Sequence, residues 1–172
     1  MRRAKTLFAA SLLALGATTL EPALAASSGP STRAESPRPT PTTDAEKARE
    51  ADFEKAEYLI KADKCDEAIP LLKNVVAGNA RDADALNYLG FCHRKTGMLK
   101  ESLAYYEQAL AVNPKHKGAH EYLGELYLRM GDLPKAEGQL AILKGLCPSG
   151  CEELEDLEAD IEDFKANGGK LP

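Results

Sequence analysis

Cysteine and histidine are the residue types in this chain whose spacing bears on redox or metal chemistry. Cys147-Pro148-Ser149-Gly150-Cys151 sets two thiols four residues apart, with three residues between them. Dithiol oxidoreductases use two intervening residues inside a βαβ unit, and no such setting surrounds this segment. Cys65 and Cys92 complete an even set of four, for which three pairings exist. His116 and His120 stand four residues apart, one helical turn, the spacing at which two imidazoles can share a metal. No third ligand lies beside them. The chain has no G-x-x-x-x-G-K phosphate loop, no H-E-x-x-H and no G-x-S-x-G. With no nucleophile, base and orienting group in recognisable register, no catalytic residue, cofactor or metal ligand is assigned, and the chain reads as a non-enzyme.

The elements that would position these side chains follow from charge and composition. The formal net charge is −5, and no cluster of Lys and Arg follows residue 5, so nucleic acid is not an expected partner. At the N-terminus, Arg2, Arg3 and Lys5 precede a mostly apolar run from Thr6 to Leu20, and Ala23-Leu24-Ala25 gives an A-x-A cleavage signal. This reads as a secretory signal peptide over residues 1–25, and hence a periplasmic or secreted protein. Ser11, Thr18 and Thr19 interrupt the run, which falls short of the roughly 20 apolar residues of a spanning helix. Retention as an anchor is the alternative; after cleavage no membrane span is expected. Residues 26–43 are rich in Ser, Thr and Pro and read as a disordered linker.

Beyond the linker the sequence repeats with a period of 34. Leu89-Gly90 corresponds to Leu123-Gly124, Gly97 to Gly131, Ser102 to Ala136, Tyr106 to Leu140 and Pro114 to Pro148. One step earlier stand Ala56, Ala68, Leu72 and Val75, so three ungapped units span 49–82, 83–116 and 117–150. Apolar residues such as Leu99, Leu103, Tyr106 and Leu110 recur at helical spacing. Gly90 and Gly124 are expected where the two helices of a unit cross closely, opposite the small residues Ala68, Ser102 and Ala136. Gly97 and Gly131 are expected to end each first helix in the left-handed region, with Asp63 in that place in unit one. Pro114 and Pro148 close the second helices. Residues 151–166 follow as an amphipathic helix, with Leu154, Leu157, Ile161 and Phe164 on one face and eight carboxylates elsewhere. A short tail, 167–172, begins near Gly168-Gly169.

This pattern resembles the tetratricopeptide repeat (TPR). The resemblance implies an all-α fold, a right-handed α-solenoid of three helix-turn-helix units plus a C-terminal capping helix, the domain running over 44–166. It also implies a non-enzymatic module that binds a peptide or protein segment, as a periplasmic adaptor or assembly factor. The family's inward positions then nominate a groove of Phe53, Glu57, Asn87, Tyr88, Phe91, Arg94, Glu121, Tyr122, Glu125 and Arg129, with Arg94, Lys95 and Arg129 making one edge basic. A TPR subclass that grips C-terminal carboxylates uses Lys, Asn and Arg. Here Phe53, Glu57, Tyr88, Gly118 and Tyr122 stand at those places, so the clamp is absent. His93 falls where the repeat packs an aromatic and reads as a core residue. In a TPR stack the start of one unit's second helix approaches the end of the next unit's first helix. That implies a Cys65–Cys92 bridge, with Cys147–Cys151 pinning the cap. Two alternatives remain open: a small periplasmic redox or metal-handling protein using Cys147 and Cys151, and a structural homo-oligomer. Non-reducing peptide mapping of the exported protein is expected to begin at Ala26 and to recover those two linked pairs; four free thiols, or a chain that keeps Met1, would contradict this reading.

Overall fold

The structure is a computed structural model and describes residues 43–170. The expected signal peptide, nearly all of the linker and the last two residues of the tail lie outside the described residues. Seven α-helices follow one another: α1 (Asp44–Lys61), α2 (Cys65–Gly78), α3 (Ala83–Lys95), α4 (Leu99–Val112), α5 (Lys117–Arg129), α6 (Leu133–Leu146) and α7 (Glu152–Ala166). No strand occurs among the described residues, and none of these helices is long and apolar enough to cross a membrane. Three hairpins, α1–α2, α3–α4 and α5–α6, stack through α2 on α3 and α4 on α5.

The hairpin turns repeat one solution. Gly97 and Gly131 have φ of 81° and 76°, and Asp63 takes the same left-handed conformation at 57°. In each turn the next residue's N–H reaches back into the helix: Lys64 to Leu59 O at 2.9 Å, Met98 to His93 O and Asp132 to Tyr127 O at 2.8 Å. These are the backbone bonds of a left-handed C-terminal cap, which glycine accepts freely and Asp tolerates. The helix starts are capped too. Asp82 accepts from the Ala85 N–H at 2.9 Å, and the His116 imidazole accepts from the Ala119 N–H at 3.1 Å. α1 begins five residues before the first 34-residue unit, on a Thr43–Glu46 capping box.

Helices meet where side chains are smallest. A Cβ on Gly90 would lie 2.5 Å from the Tyr106 ring of the same hairpin. On the facing helix the Ser102 hydroxyl donates to Gly90 O at 2.7 Å, and Ala68, Ser102 and Ala136 are fully buried. Gly124 differs from expectation. Its missing Cβ faces Leu157 of α7, at 2.6 Å, rather than its own hairpin partner. The reason lies in side-chain size: Leu140 stands where unit two has Tyr106, and a fully buried leucine from α7 occupies the space against the glycine. Thus α7 does more than close the end of the stack. It packs on α5 as well as α6, with Leu157, Ile161 and Phe164 buried against Leu128 and Leu143.

The four sulfurs pair as Cys65–Cys92 and Cys147–Cys151, with Cα atoms 5.0 and 5.9 Å apart, inside the range a disulfide spans. The first ties α2 to α3, and the second ties the end of α6 to the start of α7. Because Leu157 fills the space left by Gly124, Leu157→Ala should cost about 3 kcal/mol by burial lost and cavity created. Urea denaturation measures this; a loss below about 1 kcal/mol would mean that α7 is not packed on α5 in solution.

Candidate functional site

The first helices α1, α3 and α5 lie in a row, and their side chains meet laterally. The Phe53 and Tyr88 rings stand 5.8 Å apart, and the Tyr88 hydroxyl donates to Glu57 at 2.9 Å. The Phe91 and Tyr122 rings stand 5.2 Å apart. Phe53, Glu57, Tyr88, Phe91 and Tyr122 are each half-buried, so this inner row is part packing surface and part accessible face. Burial, with Glu57 next, raises the Tyr88 phenol well above its ordinary range and keeps it a hydrogen-bond donor.

Arg94, nominated as part of a basic edge, has a different role. It is 4% exposed and forms an ion pair with Glu125 of α5. Its guanidinium lies 5.4 Å from the Phe91 ring centre and 5.6 Å from that of Tyr122. Its charge serves the α3–α5 interface, and periodicity could not show this because the partner comes from the next unit. Lys95 is likewise engaged, by Asp63 at 3.0 Å. Arg94, Lys95 and the exposed Arg129 nonetheless line one cleft, with Leu128, Phe164 and Lys170, so the expected basic edge is brought together at the C-terminal ends of α3 and α5, apart from the aromatic row.

Asn87 and Glu121 were expected to face an open groove; both are buried, at 5% and 8% exposed. They line a cleft of about 310 Å³ at the N-terminal ends of α3, α5 and α7. Tyr88 and Tyr122 line it as well, and Asp84, Glu152, Glu153 and Asp156 complete an acidic rim. Sequence periodicity missed the α7 carboxylates, which were assigned to a solvated outer face. The signal was present as an excess of acid beyond what one polar face needs, but only the docking of α7 on α5 turns Glu153 and Asp156 towards the cleft.

The histidines are structural. His93 is 4% exposed, bonds Leu89 O at 2.7 Å and packs on Tyr105. His116 caps α5 and lies 3.0 Å from Asp84. His120 is held by Gln139 at 2.7 Å and Pro114 O at 3.0 Å. A cluster of Cys147, Cys151 and Glu153 has metal-like spacing, but its two sulfurs are bonded to each other.

Stacked helical hairpins with glycine turns and small residues at the crossings define an α-solenoid repeat protein. Tetratricopeptide-repeat family models match residues 83–116 and 105–138, over α3 to α6. Among solved structures, the Arabidopsis OM64 TPR domain is 13% identical, with a TM-score of 0.63 over 70% of this chain and 98% of that one. The first TPR domain of Spaghetti (RPAP3), bound to the HSP90 peptide SRMEEVD, is 18% identical, with a TM-score of 0.61 over 70% and 97%. An uncharacterized protein, ycf37 of Pyropia yezoensis, is 36% identical over 64 residues, 37% of this chain. The match spans 36% of that relative's length.

Burial, then the neighbouring Glu125, Asp156 and Glu153, push Glu121 up to about 8, with Arg94 opposing. A carboxylate raised on folding binds its proton more tightly in the native state, so stability declines as pH climbs from the ordinary carboxylic range to about 8. Glu121→Gln removes that dependence. Thermal melts at pH 5 and pH 8 should show the wild type losing stability between the two and the variant losing less, so that the variant melts higher at pH 8. Parallel losses in both proteins would show that Glu121 is not the group responsible.

Proposed function

We propose that this chain is an exported, non-enzymatic adaptor that holds a segment of a partner protein along the inner face of α1, α3 and α5. The observation that carries this reading is the acidic, tyrosine-walled cleft where α3, α5 and α7 begin. Tyrosine gives a large, rigid contact area at small entropic cost, and a cleft of carboxylates selects its ligand by charge. The similar RPAP3 domain is bound to a peptide, which supports a binding role for this face. That peptide ends in acidic residues, whereas the cleft here carries the opposite preference: its ligand is basic. The N-terminal leader and an even set of cysteines support an oxidising, exported location. The Cys147–Cys151 pair ties α6 to α7, which favours a structural role for these cysteines over a redox or metal-handling one.

A photocrosslinking amino acid at Asp84 or Glu57 on the inner face, and at Lys73 or Glu107 on the second helices, tests this in cells. Partner adducts are expected from the inner positions and not from the outer ones. Adducts of equal yield from both sets, or from the outer set alone, would sink the proposal.

A further inference from the structure

The interior of the molecule shows what its acidic, aromatic inner layers accept. At the α3–α5 interface a guanidinium, that of Arg94, lies beside the Phe91 and Tyr122 rings and pairs with Glu125. One helical turn towards the N-terminal ends, the same elements recur without the cation. Glu121 precedes Glu125 by four residues on α5, Tyr88 precedes Phe91 by three on α3, and Tyr122 serves both layers. The side chains lining the cleft include no Lys or Arg, and its one imidazole, His116, is engaged by the Ala119 N–H and by Asp84. Glu121 has no hydrogen-bond or ion-pair partner among the described residues, although it is 8% exposed. The Oδ1 atom of Asn87, on a side chain 5% exposed and lining the same cleft, is also buried without a partner.

A buried acceptor left open is costly, and Asn87 Oδ1 beside the unpaired Glu121 carboxylate points to a missing donor. We infer that this cleft is a subsite for the guanidinium of an arginine in the bound segment, accepted by Glu121 and Asn87 between the Tyr88 and Tyr122 rings. The inference rests on the reading of the inner face as the binding face. Arginine fits better than lysine because its planar fork presents five N–H donors to separate acceptors while its flat faces lie on aromatic rings. Asp84 and Asp156 on the rim add long-range attraction. A divalent cation fits less well, since calcium takes six to eight oxygens and the walls here are rings.

Proton linkage follows from the groups around Glu121. Glu125 and Arg94 stand below it, Glu153 and Asp156 face it from α7, Asp84, His116 and Glu152 line the same cleft, and Lys117 touches Glu153 from outside at 3.8 Å. With Glu121 pushed up to about 8, the free cleft holds a proton at neutral pH, and an entering guanidinium displaces it. Affinity therefore rises with pH up to about 8.

The test is an NMR titration of the mature chain with capped glycyl-arginyl-glycine, beside its lysyl and citrullyl versions. The arginyl peptide should give saturable shifts at the Asn87 side-chain amide and at Tyr88 and Tyr122. Citrulline, which keeps the shape and loses the charge, should give none, and the lysyl peptide should bind more weakly. Glu121→Gln, which mimics the protonated carboxyl of the free cleft and so keeps the fold, but cannot ionise to pair with a cation, should weaken arginyl binding about tenfold or more. No saturable shift at these groups, equal binding of the citrullyl peptide, or an unchanged affinity in Glu121→Gln would each overturn the inference. If inner-face crosslinks persist while the arginyl peptide fails, the adaptor reading stands and the subsite falls.

Discussion

The closeness with which helices cross sets the rest of this structure. At Gly90 the α3 backbone lies so near the Tyr106 ring that a single added carbon has no room. That approach lets the Ser102 hydroxyl reach Gly90 O and closes the hairpin around a fully buried aromatic. Because each hairpin is closed in this way, its first helix is held in line with the next, and one row of side chains forms. The inner face, its aromatic pairs and its buried ion pair all depend on that alignment. Unit three reaches the same closeness by another route. A smaller side chain at Leu140 leaves the space beside Gly124 to Leu157, so α7 is built into the interface.

Docking of α7 links stability to recognition. The leucine that fills the Gly124 contact belongs to the helix that also supplies Glu153 and Asp156 to the cleft. Burying acid beside acid costs stability, as the raised Glu121, Glu125 and Asp160 carboxyls record; in each, burial is the largest cause. Arg94 offsets part of this within the α3–α5 interface. Removing one partner of such a buried pair costs about 3–5 kcal/mol, because the other is left charged and alone. The excess of carboxylate over internal cation is therefore concentrated at one end of the inner face, where a ligand can reach it.

Much of the fold was legible in the sequence. Glycine at 97 and 131, and Asp63 before them, mark turns whose left-handed backbone few residues accept. Pro114 and Pro148 follow the ends of α4 and α6 because proline cannot continue a helix. The small residues at 68, 102 and 136 mark the crossings. The candidate site was less legible. Family positions selected Asn87, Arg94 and Glu121 as open groove residues. Burial depends on what packs above them, and that is α7 and the neighbouring hairpin rather than anything in their own unit.

The sequence by itself determined the helices, their turns and their pairing into hairpins, because these follow from backbone chemistry and a period read within a single repeat. Only the tertiary structure decided that Arg94 is consumed by Glu125, that α7 lies on α5 as well as at the end of the stack, and that Glu121 and Asn87 line one acidic cleft. Those outcomes depend on contacts between residues of different hairpins and a non-repeating helix. There the volume left by one side chain is filled by another, and no local pattern records which one arrives.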